Sequence, residues 1–510
     1  MSIANTIYRL YNRRLLTELD LSSKDPFPFQ EATFRYLMEG GKASVFGKKY
    51  NMAEINDIDT FQRRVPLHDY NALEPYIQQS LRGQENVLWN APIYWYALSS
   101  GTSSSKSKFI PMNKENLQMC HYKGMLTILS NYVRTFPKSH LFRGKTLTLG
   151  GNRHIDKSVE TNCYYGDLSA FLLINTPLLA RLFTTPPRKM SLIPDFEYKV
   201  EQVSKLIAKQ NLVAFSGVPS WNLILMRKVL EQTGVENLSD LWPHMELFMH
   251  GGINFEPYRV HYQSLFPSEK MRYLETYNAS EGFFAFQTNL NDPGLQLLPN
   301  VSVFYEFIPL EKLQAAENGS YTDFLTMTEV EVDKPYALVI STNSGLWRYL
   351  IGDTVRFTEL YPHKIRITGR TKLFINTFGE ELMIENAERA LSRACSLTGA
   401  SVHEYTVAPV FMDGKRKGSH QWLIEFEQMP PAMDQFTQIL DESLMDLNSD
   451  YEAKRRDTGT MDPPTITVVK KGCFYRWLAL NDKLGGQNKV PRLWSTREYV
   501  EALLKINEGL

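Results

Sequence analysis

The chain has 510 residues, 43% hydrophobic and 22% charged, and its 56 lysines and arginines are balanced by 56 aspartates and glutamates. That length exceeds one ordinary core, so two or more domains are expected. The neutral balance gives no support for a broad nucleic-acid or anionic-membrane surface, although a local basic site is compatible with it.

Cysteines 120, 163, 395 and 473 fit no zinc or redox spacing and are too few for a disulfide scaffold. Four reduced thiols in a cytoplasmic protein are expected. No run approaches the roughly twenty consecutive apolar residues of a membrane span. At the N-terminus, Arg9, Arg13 and Arg14 precede any acidic residue, a faint transit-peptide trait. Ile7, Leu10, Tyr11, Leu15 and Leu16 fall on one helical stripe, however, which predicts a first helix packed on the core through that stripe.

The first 90 residues read as mostly helical, with breaks at Pro26, Pro28 and Gly40-Gly41. YWYAL (94–98) is strand-like and runs into SSGTSSSKSK (99–108), after which Asn113 is placed to cap a helix through Met125 and Leu129. KTLTLGG (145–151), NLVAFSGVPSW (211–221), ELFMHGG (246–252) and MRYLETYNASEG (271–282) each read as a strand ending in a small-residue loop. With a helix over 197–206, this alternation indicates an α/β arrangement, in which ligands collect beyond the strand ends.

From 300 to 370, short strand-like runs and the turn signals Asn343-Ser344-Gly345 and Gly352-Asp353 predict an antiparallel sheet or barrel wall. Gly369-Arg370-Thr371 marks a boundary between a large N-terminal domain (1–370) and a small C-terminal α+β domain (371–510). The latter is read as a short strand at 373–376, a helix over 381–398 stopped by Gly399, a hairpin, an amphipathic helix from Phe436 to Leu447 and a last strand in TITVVKKG.

SSGTSSSKSK is not a Walker A loop, because no glycine precedes Lys106. It matches [ST]-S-G-T-[ST]-x-G-x-x-K, a phosphate loop of enzymes that make acyl-adenylates, except that Ser105 stands in place of glycine. By itself it could also be a solvated serine-rich loop. Tyr277-Asn278-Ala279-Ser280-Glu281-Gly282 offers a ring to stack on adenine and a carboxylate for Mg²⁺, or is simply a strand end with a glycine turn. In GLWRYLIGDTV (345–355), Asp353 could accept ribose hydroxyls or sit in a hairpin turn.

Taken in order, SSGTSSSKSKFIP, YNASEGF and GLWRYLIGD resemble the GH3 family of acyl acid–amido synthetases. That family lies within the adenylate-forming superfamily of acyl-CoA synthetases and luciferases. FSGVPSW (215–221), HGGINFEPY (250–258) and GGQNKVPR (485–492) extend the resemblance over nearly the whole chain, in a variant closer to the bacterial branch than to the plant auxin-conjugating enzymes. The resemblance implies an α/β large domain with an antiparallel, β-barrel-like part and a mobile small domain that rotates about a hinge near Arg370-Thr371.

It also implies roles for particular residues. Ser99, Ser100, Gly101, Thr102 and Ser103, with Lys108, would form the grip on the β- and γ-phosphates. Gly251 and Gly252 would lie by the adenine and acyl pocket, Tyr277 would stack on adenine beside Ser280, and Glu281 would bind Mg²⁺. Asp353 would hold the ribose with Arg370 nearby, and Lys489 would reach the α-phosphate during adenylation. Read from composition alone, Lys489 is as well explained as a surface lysine.

The implied reaction uses ATP and Mg²⁺ to join a small carboxylic acid to an amino acid through an acyl-adenylate. A thioester-forming acyl-CoA synthetase and a non-catalytic nucleotide-binding protein are the alternatives, and the joint presence of Lys108, Glu281, Asp353 and Lys489 argues against the second. No nucleic-acid or membrane partner is expected, and the chain is expected to be a monomer or weak dimer.

Overall fold

The computed structural model describes residues 3–100, 107–150, 156–157, 163–193, 195–253, 255–371, 374–413, 416–457, 460–481 and 490–509. The N-terminal region is helical as expected, with helices Ile3–Tyr11, Arg13–Lys24, Phe27–Gly41 and Tyr70–Leu81 among others. The first helix is turned away from its predicted face. On it Asn5 is buried, whereas Ile7, Leu10 and Tyr11 face solvent; Leu16 of the expected stripe, on the second helix, is buried as predicted, beside Asn12 and Leu19. The anchors are distant in the chain: Asn5 Nδ2 donates to the Ser139 carbonyl at 2.9 Å, and the Tyr8 ring packs 4.4 Å from Phe142. A buried amide with a fixed acceptor sets the rotation that an apolar count cannot see.

Among the described residues, twelve strands lie up to residue 309: β1 (Trp95–Ser100), β2 (Ser107–Met112), β3 (Lys145–Thr148), β4 (Asp156–Lys157), β5 (Tyr164–Gly166), β6 (Thr184–Thr185), β7 (Leu212–Gly217), β8 (Leu247–Gly251), β9 (Arg272–Ala279), β10 (Gly282–Gln287), β11 (Leu295–Leu297) and β12 (Val303–Pro309). β13 (Pro335–Thr342), β14 (Tyr349–Glu359) and β15 (Lys364–Arg370) complete the large region. Eleven of these form one sheet in the order β12-β13-β14-β15-β11-β10-β9-β8-β7-β3-β6. β1, β2, β4 and β5 form a separate small sheet.

The large sheet changes character at β9. From β6 to β9 its neighbours run parallel, and from β9 to β12 they run antiparallel. β7 and β8 are buried along nearly their whole length, as strands covered on both faces must be. Helices Phe196–Ile207, Pro219–Thr233 and Glu256–Leu265 contribute to the apolar core on one side of them, with Phe215, Phe248 and Tyr262 at its centre. Among the described residues the antiparallel half does not close into a barrel: it continues the parallel half as one open sheet.

Beyond Arg370, β16 (Phe374–Ile375) pairs with β17 (Leu382–Met383), and β18 (Ser401–Val410) forms the predicted hairpin with β19 (Ser419–Gln428). β20 (Thr465–Val468) joins β19 in parallel. Helices Ile384–Thr398 and Met433–Leu447 pack on this sheet, and Gly399 ends the first in the left-handed region at φ 72°. Helices Cys473–Leu480 and Glu498–Glu508, which the sequence reading leaves out, enclose a second small core around Cys473, Trp477 and Leu503. No described helix is long and apolar enough to cross a membrane.

Candidate active site

The carboxyl ends of the parallel strands β7, β8 and β9 open on one edge, at the point where the sheet turns antiparallel. Gly251 closes β8, and a Cβ there would stand 2.5 Å from the Thr276 carbonyl of β9, so only glycine allows that approach. Gly252 follows at φ +83°, a conformation that turns the chain away from the sheet.

β9 then carries Tyr277 and passes through Ser280 and Glu281 into β10, with Ala279 paired to Gly282 across the turn. Glu281 is buried, and burial pushes its carboxyl up to about 7, partly offset by the charge of Lys108. Lys108 lies on β2, opposite Ser99 on β1, so the two ends of the serine-rich stretch are cross-strand neighbours. The Lys108 ammonium lies 6.0 Å from the centre of the Tyr70 ring, and the Phe109 N–H donates to the Tyr70 hydroxyl at 2.8 Å, which ties the hairpin to helix Tyr70–Leu81.

Asp353 and Arg370 are register partners on β14 and β15. Arg370 Nε donates to Asp353 Oδ1 at 2.8 Å, and the Tyr277 hydroxyl donates to Asp353 Oδ2 at 2.6 Å. Each carboxylate oxygen therefore has one protein donor. Burial, reinforced by the Asp353 charge, drives the Tyr277 hydroxyl well above its usual range, so it stays a donor. The Tyr277 ring is 5% exposed and packs 4.9 Å from Phe284, so in this structure it is the hydroxyl that faces the cluster. The Arg370 guanidinium also lies 4.7 Å from the Phe374 ring and 3.5 Å from Glu381 Oε1.

Glu381 is a site residue that sequence reasoning missed. Its backbone sits at φ +38°, a strained setting for a residue with a side chain, and its N–H donates to Asn376 Oδ1. The signal in the sequence was the doubled carboxylate of Gly379-Glu380-Glu381, ten residues past the boundary glycine. Glu380 holds the same loop from inside, accepting from the Thr377 and Phe378 N–H groups and meeting His420 Nε2 at 2.8 Å.

The loop also reaches back to the large region. Tyr258 donates to the Thr377 carbonyl at 2.9 Å, and Asn376 Nδ2 donates to the Gly252 carbonyl at 3.2 Å. The Lys454 ammonium stands 4.5 Å over the Trp221 ring. The site thus lies where residues 374–383 meet the loops after β7 and β8.

Of the residues expected from the sequence, the structure brings Tyr277, Glu281, Lys108, Asp353 and Arg370 into one electrostatically coupled group, with Gly251 and Gly252 on the adjoining strand end. Ser100 ends β1. Gly101, Thr102, Ser103 and Lys489 lie outside the described residues. Among the described residues no cluster of three or more His, Cys, Asp or Glu side chains is placed to hold a metal by itself. A single buried carboxylate, Glu281, within electrostatic reach of Lys108 fits Mg²⁺, which takes one or two protein carboxylates and completes its shell with other oxygen ligands.

The GH3 family N-terminal domain matches residues 15–271, the central domain 296–370 and the C-terminal domain 385–498. The jasmonoyl–L-amino acid synthetase GH3.5 of Oryza sativa subsp. japonica is 22% identical, over 94% of this chain and 94% of its own. The indole-3-acetic acid-amido synthetase GH3.8 of Oryza sativa subsp. indica is 24% identical, over 93% of this chain and 89% of its own. In three dimensions the chain shares its fold with the GH3.15 acyl acid amido synthetase, at a TM-score of 0.61 and 17% identity over 97% of this chain and 95% of that one. It also shares it with a 2-hydroxyisobutyryl-CoA ligase in its thioesterification state, at 0.56 and 12% identity over 97% and 93%. With the central match ending on Arg370 itself and the C-terminal match beginning just past Glu381, the chain belongs to the GH3 family.

Proposed function

We propose that this GH3 protein is an ATP- and Mg²⁺-dependent cytoplasmic ligase that activates a small carboxylic acid as an acyl-adenylate and passes the acyl group to the amine of an amino acid. The observation that carries the reading is the Tyr277–Asp353–Arg370 chain of charge-assisted bonds set beside Glu281 and Lys108. Asp353 is oriented by two donors, and each of its oxygens retains a lone pair for a ribose hydroxyl. Lys108, at the root of the serine-rich hairpin, supplies positive charge to the outer phosphates, with Ser99, Ser100, Gly101, Thr102 and Ser103 as the loop around them. Ser105 stands where such loops usually carry glycine, and the hydroxyl residues before it and Lys108 after it are kept.

In the first half-reaction the acid's carboxylate oxygen attacks the α-phosphorus, the bond to the β-phosphate oxygen breaks, and pyrophosphate leaves. Mg²⁺, when bound, neutralises phosphate charge as pyrophosphate forms, and Glu281 would hold it. Lys489 would meet the α-phosphate in this step, and Tyr277 and Ser280 would border the adenine. In the second half-reaction an amine nitrogen attacks the acyl carbon and AMP leaves. A thiol intermediate is not needed: Cys120 is buried, with its thiol pushed up to about 12 by burial, and Cys163 and Cys473 are buried too. Rotation of residues 371–510 about Arg370-Thr371 would exchange the two states and keep water from a labile adenylate.

The test is pyrophosphate release from Mg-ATP with a panel of small acids, with and without amino acids. Release that requires an acid, rises with an amino acid and disappears in Lys108→Ala and Asp353→Ala supports the ligase. Release that rises with coenzyme A instead assigns the thioester reaction, and ATP binding without release under any acid overturns both.

A further inference from the structure

The first helix leaves Ile7, Leu10 and Tyr11 at 62%, 63% and 87% exposure, and the segment after Pro177 leaves Leu178, Leu179 and Leu182 at 75%, 75% and 64%. These are large aliphatic and aromatic groups, and they are not scattered singly. The two segments are stitched to the same strip of chain. Asn5 donates to the Pro137 and Ser139 carbonyls, and Tyr8 packs on Phe142. Phe142 in turn meets Phe183 at 5.7 Å, Lys145 Nζ donates to the Leu182 carbonyl at 2.6 Å, and the Thr146 N–H donates to the Phe183 carbonyl at 2.7 Å. The two apolar groups therefore flank residues 137–146 on one side of the molecule.

The charge there is one-sided. Residues 3–17, 136–150 and 168–193 each contain three lysines or arginines, nine in all, and no aspartate or glutamate, in a chain whose totals are equal. The windows are bordered by Glu18, Asp167 and Asp195, and several carboxylates near them have partners. Glu18 pairs with Arg14 and Lys123, Asp20 pairs with Arg134, and Glu246 is buried against Ser139 and His140.

We propose that this face docks on the surface of an anionic lipid bilayer, with the exposed apolar side chains entering the headgroup boundary and the surrounding cations meeting lipid phosphates and carboxylates. Charge complementarity selects that occupant. A second copy of the chain would set this cation-rich face against itself, although Arg14 is already paired with Glu18, whereas an anionic bilayer offers both the apolar layer and the opposite charge. The neutral total hides this face because net charge averages over the whole surface.

The experiment is co-sedimentation of the full chain with vesicles of phosphatidylcholine alone and of a three-to-one mixture of phosphatidylcholine and phosphatidylserine, at low and high salt. Two variants on separate segments, Leu178→Ser/Leu179→Ser and Tyr11→Ser, are carried alongside, with thermal melts to establish that each is folded. Binding to the mixed vesicles that falls with salt, is absent on phosphatidylcholine and drops by about tenfold in the leucine variant supports the proposal. Equal binding to both vesicles, no binding at low salt, or wild-type binding by both variants overturns it. Light scattering that shows a dimer dissolved by the same variants also overturns it, and assigns the face to a second copy.

Discussion

Two buried arginine–carboxylate pairs lie within one stretch of sequence and do different work. Arg348, just ahead of β14, meets Glu306 of β12, with side chains 3% and 0% exposed. Its Nε donates to both carboxylate oxygens at 3.1 Å, its Nη1 donates to the carbonyls of Gln62 and Val65, and its guanidinium lies 4.2 Å from the Phe324 ring. Gln62 adds a further bond to Glu306 at 3.0 Å. Arg370 and Asp353 form the second pair, at 19% and 10% exposure, and each Asp353 oxygen keeps room for another donor. The closed pair is sealed from solvent and joins the helical N-terminus to the sheet. The open pair is pre-oriented and unsaturated. The charges are the same in both pairs, and what separates scaffold from site is that the first is closed to solvent while the second stays partly open.

The largest expected effect is on the closed pair. Arg348→Met strands Glu306 in the core and should lower unfolding free energy by about 3–5 kcal/mol in a denaturant titration. A loss under about 1 kcal/mol would mean that the pair is not structural. Replacing Glu306 by leucine as well should recover part of that loss, because the uncompensated charge is then gone.

The open pair should respond in ligand binding. Asp353→Ala should weaken ATP by about 2–3 kcal/mol, roughly a hundredfold, in calorimetric titration, while costing less stability than Arg348→Met. The reverse pattern, wild-type ATP affinity with a collapsed melting temperature, would make Asp353 a second scaffold residue.

Glu281 sharpens the contrast through pH. Its carboxyl is raised in the folded state from 4.5 to about 7, so between those values the native protein holds a proton that the unfolded chain has lost. Stability therefore declines as pH rises through that window, and Glu281→Gln should flatten the decline. Metal binding needs the anion, so Mg-ATP affinity should fall by about tenfold per pH unit below about 7 and become insensitive to pH in the glutamine variant. An unchanged wild-type profile between pH 5 and 7 would remove Glu281 from the metal.

The smallest effect is expected at Tyr277. Tyr277→Phe keeps the buried ring and removes one donor to Asp353, so about 1 kcal/mol should appear in the KM for ATP with little change in stability. A loss as large as that of Asp353→Ala would mean that the hydroxyl, not the ring, makes the decisive contact.

Much of this was legible in the sequence because it is local. The strand-then-loop segments at 145, 211, 246 and 271 are where β3, β7, β8 and β9 stand, and Gly399 stops its helix as a left-handed cap. Asn113 caps as expected, accepting the Asn116 N–H at 2.8 Å. Tyr277, Glu281, Asp353 and Arg370 were named from short motifs whose spacing reflects where strands end. What such reading cannot supply is which neighbour a side chain finds. Glu381 joined the cluster because a loop ten residues beyond the boundary folds back over Arg370. Arg348 and Trp347, inside the motif that contains Asp353, proved to be scaffold, with Trp347 Nε1 bonded to the Leu88 carbonyl.

By itself, then, the sequence determined the order of elements, the α/β character and the residue types at the strand ends, since periodicity, caps and turns act over a few residues. The tertiary structure alone decided that parallel and antiparallel strands share one open sheet, that Tyr277 turns its hydroxyl to Asp353, and that Ile7, Leu10 and Tyr11 face outward. Each of these depends on contacts between residues tens to hundreds of positions apart. A buried polar group such as Asn5 or Asp353 selects its partner by hydrogen-bond geometry that no local pattern encodes.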